Sequence, residues 1–220
     1  MSTHPPAHAR RIALALATAL TLAVLTGCSS LLFGESAAPV VTYSPAAQAI
    51  LPDSAPAVSW QLDIAAPEAI GSEDGLRILV EPVAGELEVY AGARWAARPS
   101  DQLAATLLHA LDASGRITGA GLSGNGLLAD YRVLGDLRRY RAEYAGQPLP
   151  SAHVEITLKL LRLRDQRVIA VRTFDYREAA TDTALPAVNA AFERALGRFG
   201  ADAGLWVLQT GQADWATRSR

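Results

Sequence analysis

One cysteine in 220 residues excludes any intramolecular disulfide, and it excludes the multi-thiol zinc sites as well. Histidine is nearly as scarce, and two of the four (His4 and His8) precede that cysteine. The remaining pair, His109 and His153, is not at metal-ligand spacing. A surplus of one charge sign is also missing. With 20 basic and 22 acidic residues the net charge is −2, so a general nucleic-acid or anionic-lipid binder is excluded. No apolar run reaches the roughly 20 residues that a membrane-crossing helix needs. Stability must therefore come from a packed core, and one domain of this size can bury one.

What is present begins at the N-terminus. Arg10 and Arg11 precede an apolar-to-small run from Ile12 to Leu25, which is the order of a signal peptide. The run ends in Leu25-Thr26-Gly27-Cys28, which resembles the lipobox of bacterial lipoproteins. The small residues let a peptidase approach the backbone, and the Cys28 thiol accepts diacylglycerol. Residues 1–27 are thus expected to be removed and Cys28 to carry a covalent lipid. By analogy with lipoprotein sorting in Gram-negative bacteria, Ser29 in place of Asp implies export to the inner leaflet of the outer membrane, facing the periplasm. Multiple acyl chains make that anchor stable, since each buried methylene contributes about 0.8 kcal/mol.

Residues 28–57 are rich in Ser, Ala and Pro and lack periodicity, so a flexible tether is expected there. The folded domain is expected over 58–210. It opens with Trp60, Leu62 and Ile64 alternating with polar neighbours, followed by strands near 76–83 and 86–90. A helix follows, with Ser100 as its N-cap, Leu103, Leu107, Leu108 and Leu111 as its apolar stripe, and Gly115 as its C′ residue. Three β segments come next, near 128–144, 153–164 and 167–176, the last two forming a hairpin around Asp165-Gln166. A second helix is capped by Thr183 and buries Val188, Phe192, Ala195 and Phe199. Gly200 and Gly204 are expected to kink or interrupt it. Residues 211–220 read as a frayed polar tail. The fold class is α/β: a single domain with a mixed β-sheet of about five to six strands and two principal helices.

No cluster assembles a catalytic set. Gly119, Gly121 and Gly124 fit G-x-G-x-x-G, but a helix precedes them and a strand follows, the reverse of a dinucleotide site, so a flexible loop is expected. Ser123 misses the G-x-S-x-G elbow because residue 125 is Asn, and His109 and His153 read as boundary or surface residues. Glu81, Glu86 and Glu88 read as solvated edge charges. The groups Arg138, Arg139, Arg141 and Arg162, Arg164, Arg167 are interleaved with acids and read as a mixed polar face. The segment before the first helix stands apart: Tyr90, Arg94 and Trp95 offer the residue types that dominate binding hot spots, although Trp95 equally suits a core staple. These three are the candidate partner-binding residues, with no cofactor or metal.

Taken in order, the lipobox, Trp60-Gln-Leu62, Arg77-Ile-Leu-Val80-Glu-Pro82, Arg94-Trp95-Ala96, Tyr131-Arg-Val-Leu-Gly-Asp-Leu137 and Arg172-Thr-Phe174 resemble the ABC-type transport auxiliary lipoproteins. These accompany MCE-domain lipid transport systems of the Pqi and Mla kind. The resemblance implies a fold similar to the N-terminal domain of TolB-like proteins and a non-enzymatic role. Its partner would be the periplasmic MCE-domain protein of an ABC lipid transporter, and self-association into a homo-oligomer is compatible with it. Rival readings are an outer-membrane assembly lipoprotein and a periplasmic hydrolase.

Overall fold

A computed structural model describes residues 39–218 of the chain. Among them the order is β1 (Val41–Tyr43), β2 (Leu62–Ile64), β3 (Glu68–Ala69), β4 (Arg77–Glu81), β5 (Glu88–Trp95), α1 (Pro99–Ser114), β6 (Ala120–Leu122), β7 (Tyr131–Glu143), β8 (Ser151–Arg162), β9 (Arg167–Ala179) and α2 (Leu185–Arg218). All nine strands join one mixed sheet, where five to six were expected. The additional ones, β1, β3 and β6, are two or three residues long, too short to display an alternation.

The sheet is organised about β7. On one side it pairs antiparallel with β8 from end to end, and β8 pairs likewise with β9. On its other side three short strands share it in succession, all parallel: β2 at Tyr131–Val133, β3 at Asp136–Leu137 and β4 at Ala142–Glu143. β6 extends the sheet beyond β2, while β5 and then β1 extend it beyond β4. In β8 the period of two is read directly: Ala152, Val154, Ile156, Leu158 and Leu160 join the core with the apolar stripes of both helices. The intervening His153, Glu155, Thr157 and Lys159 face the opposite, helix-free side. At the centre Trp95 meets Tyr140 and Phe192 edge-on, at centroid separations of 5.8 and 5.0 Å, and Tyr140 stacks on Phe192 at 4.8 Å.

The helix ends correct two expectations. Arg98, not Ser100, occupies the N-cap of α1 and contributes no side-chain cap, while Pro99 supplies the preset φ of the first turn. The capping carboxylate arrives from elsewhere. Asp74 accepts from the Ser100 N–H at 2.8 Å and from the Ser100 hydroxyl at 2.9 Å. Gly115 closes the helix at φ 62°, as its position predicts. Ahead of α2, Asp182 rather than Thr183 receives a backbone donor, the Ala184 N–H at 3.2 Å.

α2 also runs unbroken through its glycines and, as far as residue 218, through the stretch expected to be a polar tail. The glycines are there for close approach. A β-carbon on Gly197 would lie 2.6 Å from the Gln48 carbonyl oxygen, and one on Gly200 would lie 2.6 Å from Ala49 Cβ. The last turns are held by Asp214, which accepts from the Tyr131 hydroxyl at 2.6 Å and from Arg162 at 2.6 Å. A polar end of a helix need not fray when its polar groups are the ones that bond.

Candidate functional site

Cys28 and Ser29 lie outside the described residues. The expected tether is shorter than composition suggested, because residues 41–57 belong to the domain. β1 lies parallel to β5, the Ala96 N–H donates to Tyr43 O at 2.8 Å, and Leu51 and Ala55 are buried. Alanine-rich extended chain looks like linker in sequence. Here it fits because α2 presents glycines to it.

This strap forms one wall of an open apolar cleft of about 960 Å³. Alanines 46, 47 and 49 of the strap, residues of α1, and Ile64 and Leu122 line it. Ser123 and His109 also line it, yet they do not form a hydrolase dyad. The Ser123 hydroxyl donates to Asp63 Oδ2 at 2.7 Å, and the same carboxylate takes Arg132 Nε. The alternation of Leu62 and Ile64 predicts an outward, solvated Asp63. Instead it is buried between β6 and β7 and satisfied by those two donors. The glycine run read as a flexible loop supplies β6, and α1 precedes it while β7 follows.

The three partner-binding candidates sit on β5. Trp95 is 1% exposed and belongs to the core, so it leaves the candidate surface. Tyr90 is half-buried, and burial, assisted by the neighbouring Tyr144, pushes its phenol up to about 12. Arg94 alone is exposed, with its Nε donating to Thr42 Oγ1 at 3.3 Å.

On the helix-free side of the sheet, charges are mostly paired. Arg141 bridges Glu73 at 2.9 Å and Glu81 at 3.0 Å, and Glu73 accepts the Tyr140 N–H at 2.7 Å. Arg138 and Arg139 share Glu155, while Arg162, on the opposite face, is forked onto Asp165 with Asp214 of α2 beside it. This is the mixed polar face that the interleaved acids predict, although its members bond more specifically than a solvated face requires. Glu86 and Glu88 are exposed, while Glu81 is engaged. His153 differs most from expectation. It is not a surface residue: its side chain is fully buried, with Nδ1 on Glu143 and Nε2 on Asp175 at 3.0 Å. Among the described residues no group of three or more His, Cys, Asp or Glu side chains converges as metal ligands.

A model of the ABC-type transport auxiliary lipoprotein component family matches residues 42–203. The chain belongs to that family. The match opens within β1, at the same point where the strap joins the sheet. The crystal structure of protein XCC0632 from Xanthomonas campestris is 40% identical, with a TM-score of 0.76 over 80% of this chain and 99% of that one. A second crystal structure, of an uncharacterised protein, is 11% identical with a TM-score of 0.58, covering 76% of this chain and 97% of that one, and so shares the fold. No curated protein matches. Membership makes the chain a lipoprotein auxiliary component of ABC transport, associated with the cell envelope and with transporter partners. No helix among the described residues is long and apolar enough to cross a membrane.

Proposed function

We propose that this auxiliary lipoprotein is a non-enzymatic, lipid-anchored component of an MCE-type ABC lipid transport system, held at the inner leaflet of the outer membrane and docking the periplasmic MCE protein there. The family match carries the reading. The lipobox at Cys28 supplies the anchor, and Ser29 directs the protein outward. Twelve residues separate Cys28 from β1, so a fully extended tether spans at most about 40 Å. A domain kept that close to its membrane suits docking of a component that arrives from the other membrane. The serine and histidine chemistry supports the same reading, since Ser123 and His153 are each committed to carboxylates.

The test is co-purification of the full lipoprotein with the MCE-domain protein of its host, alongside fractionation of two variants. Wild type should co-purify and fractionate with the outer membrane. Cys28→Ala should lose labelled palmitate and leave the membrane, and Ser29→Asp should move to the inner membrane. Failure of the wild type to bind any MCE protein of its host would defeat the docking role. Unchanged fractionation of Cys28→Ala would defeat the anchor.

A further inference from the structure

Arg77 of β4 and Arg94 of β5 are direct cross-strand partners in the antiparallel ladder. Trp95, one residue on, points into the core, so Arg94 projects from the helix-free face, and its pairing puts Arg77 there too. Like charges opposed in this way destabilise a sheet. Elsewhere on that face, Lys159 apart, the protein supplies acids to its cations: Asp63 to Arg132, Glu155 to Arg138 and Arg139, Glu73 and Glu81 to Arg141. Neither Arg77 nor Arg94 forms an ion pair among the described residues, and both are exposed. Among the described residues the one side-chain hydrogen bond of the pair is Arg94 Nε to Thr42 Oγ1 on β1. The nearest acid along β4, Glu81, is occupied by Arg141 and by the Gly85 N–H.

We propose that Arg77 and Arg94 form a carboxylate clamp through which an acidic segment of a protein partner docks on the helix-free face. The inference rests on the docking reading above and gives it a surface. Arginine forks match carboxylates in a bidentate fashion, and two of them side by side on a flat sheet suit acids displayed on another polypeptide. A free small anion is not the occupant, because an exposed pair in water is screened to little net gain. Only a partner that excludes water makes such contacts strong. An anionic bilayer is disfavoured as well. Residues 28–220 carry 18 basic and 22 acidic groups, 18 − 22 = −4, and a net negative chain is repelled by such a surface.

The clamp is tested with full lipoprotein carrying Arg77→Gln and Arg94→Gln together, measured for binding to the host's MCE-domain periplasmic protein from about 50 to about 300 mM salt. Wild-type binding should weaken with salt. The double variant should bind at least about tenfold more weakly at low salt, with a flattened salt response. Its melting temperature should hold, or rise by about a degree or two as the repulsion is removed. Equal binding by wild type and double variant would overturn the clamp and leave the docking reading intact. Binding of wild type to phosphatidylglycerol vesicles, lost in the double variant, would assign the pair to lipid phosphate and overturn it too. Wild type that binds no MCE protein would remove the docking reading, and the clamp with it.

Discussion

Gly211 of α2 lies against the indole of Trp60: a β-carbon there would stand 2.5 Å from Cζ2 and 2.9 Å from Cη2. Trp60 has no room to yield, being 1% exposed and edge-on to Tyr131 at 5.0 Å. Replacing a mid-helix glycine by alanine ordinarily stabilises by about 1 kcal/mol. Here the overpacking cost of about 1 to 3 kcal/mol exceeds that gain. Gly211→Ala should therefore lower the urea midpoint and alter the tryptophan fluorescence of the native state. A raised midpoint would mean that the end of α2 can move away from Trp60.

Asp74 is the distant cap of α1. Its two hydrogen bonds go to the backbone and hydroxyl of Ser100, at the end of the helix where a negative charge is favoured. Asp74→Ala should cost about 1 kcal/mol, in the range of lost N-caps. Ser100→Ala should cost less, because Asp74 keeps its bond to the backbone N–H. Urea melts of the two variants give the order. Equal losses would show that the hydroxyl, not the backbone contact, is what Asp74 contributes.

Long elements were legible in the sequence and close approaches were not. β7, β8 and β9 announce themselves through alternation, and the stripe Val188, Phe192, Ala195, Phe199 is buried as its spacing requires. The strap over residues 41–57 escapes a reading by pattern because, Leu51 apart, its contacts with α2 are alanine and backbone against glycine, which carry no hydrophobic signal. The α2 glycines misled for the same reason, since helix propensity knows nothing of what lies across the groove. Residue type alone groups Tyr90, Arg94 and Trp95, and strand alternation separates them. Trp95 goes inward and Arg94 outward, and Arg77, the residue beside Arg94, can be found only from the register.

The Asp165 carboxyl is held down at about 2, first by hydrogen bonds from the Arg162 guanidinium and then by its charge, against an opposing effect of burial. Arg162 Nε and its Nη2 each reach an Asp165 oxygen at 2.8 Å, at the β8–β9 turn. A carboxylate depressed in the folded state contributes stability above its unfolded value, near 4, and loses it as pH falls toward the folded one. Asp165→Asn should melt below wild type at neutral pH, with the difference closing as the pH drops from about 4 to about 2. A difference that persists unchanged at pH about 2 would mean the loss comes from turn geometry and not from ionisation.

His153 takes the most demanding position on the helix-free face. Its ring is buried while Glu143 and Asp175 on either side keep side-chain exposures of 21% and 44%. Both ring nitrogens lie within hydrogen-bond reach of carboxylates. Arg177 is a cation within reach of both acids, at 3.1 Å from Asp175 and 4.0 Å from Glu143. Removing the ring leaves the two acids facing a void. Breaking a fully buried ion pair costs about 3 to 5 kcal/mol. Water reaches these carboxylates, so His153→Ala should cost nearer about 2 kcal/mol. The decisive measurement is the cycle with Glu143→Gln and Asp175→Asn, by urea unfolding. If the ring is there to satisfy the acids, His153→Ala should cost clearly less once they are neutral. An unchanged cost in the neutral background would make His153 a packing residue, held by the shape of the sheet and not by charge.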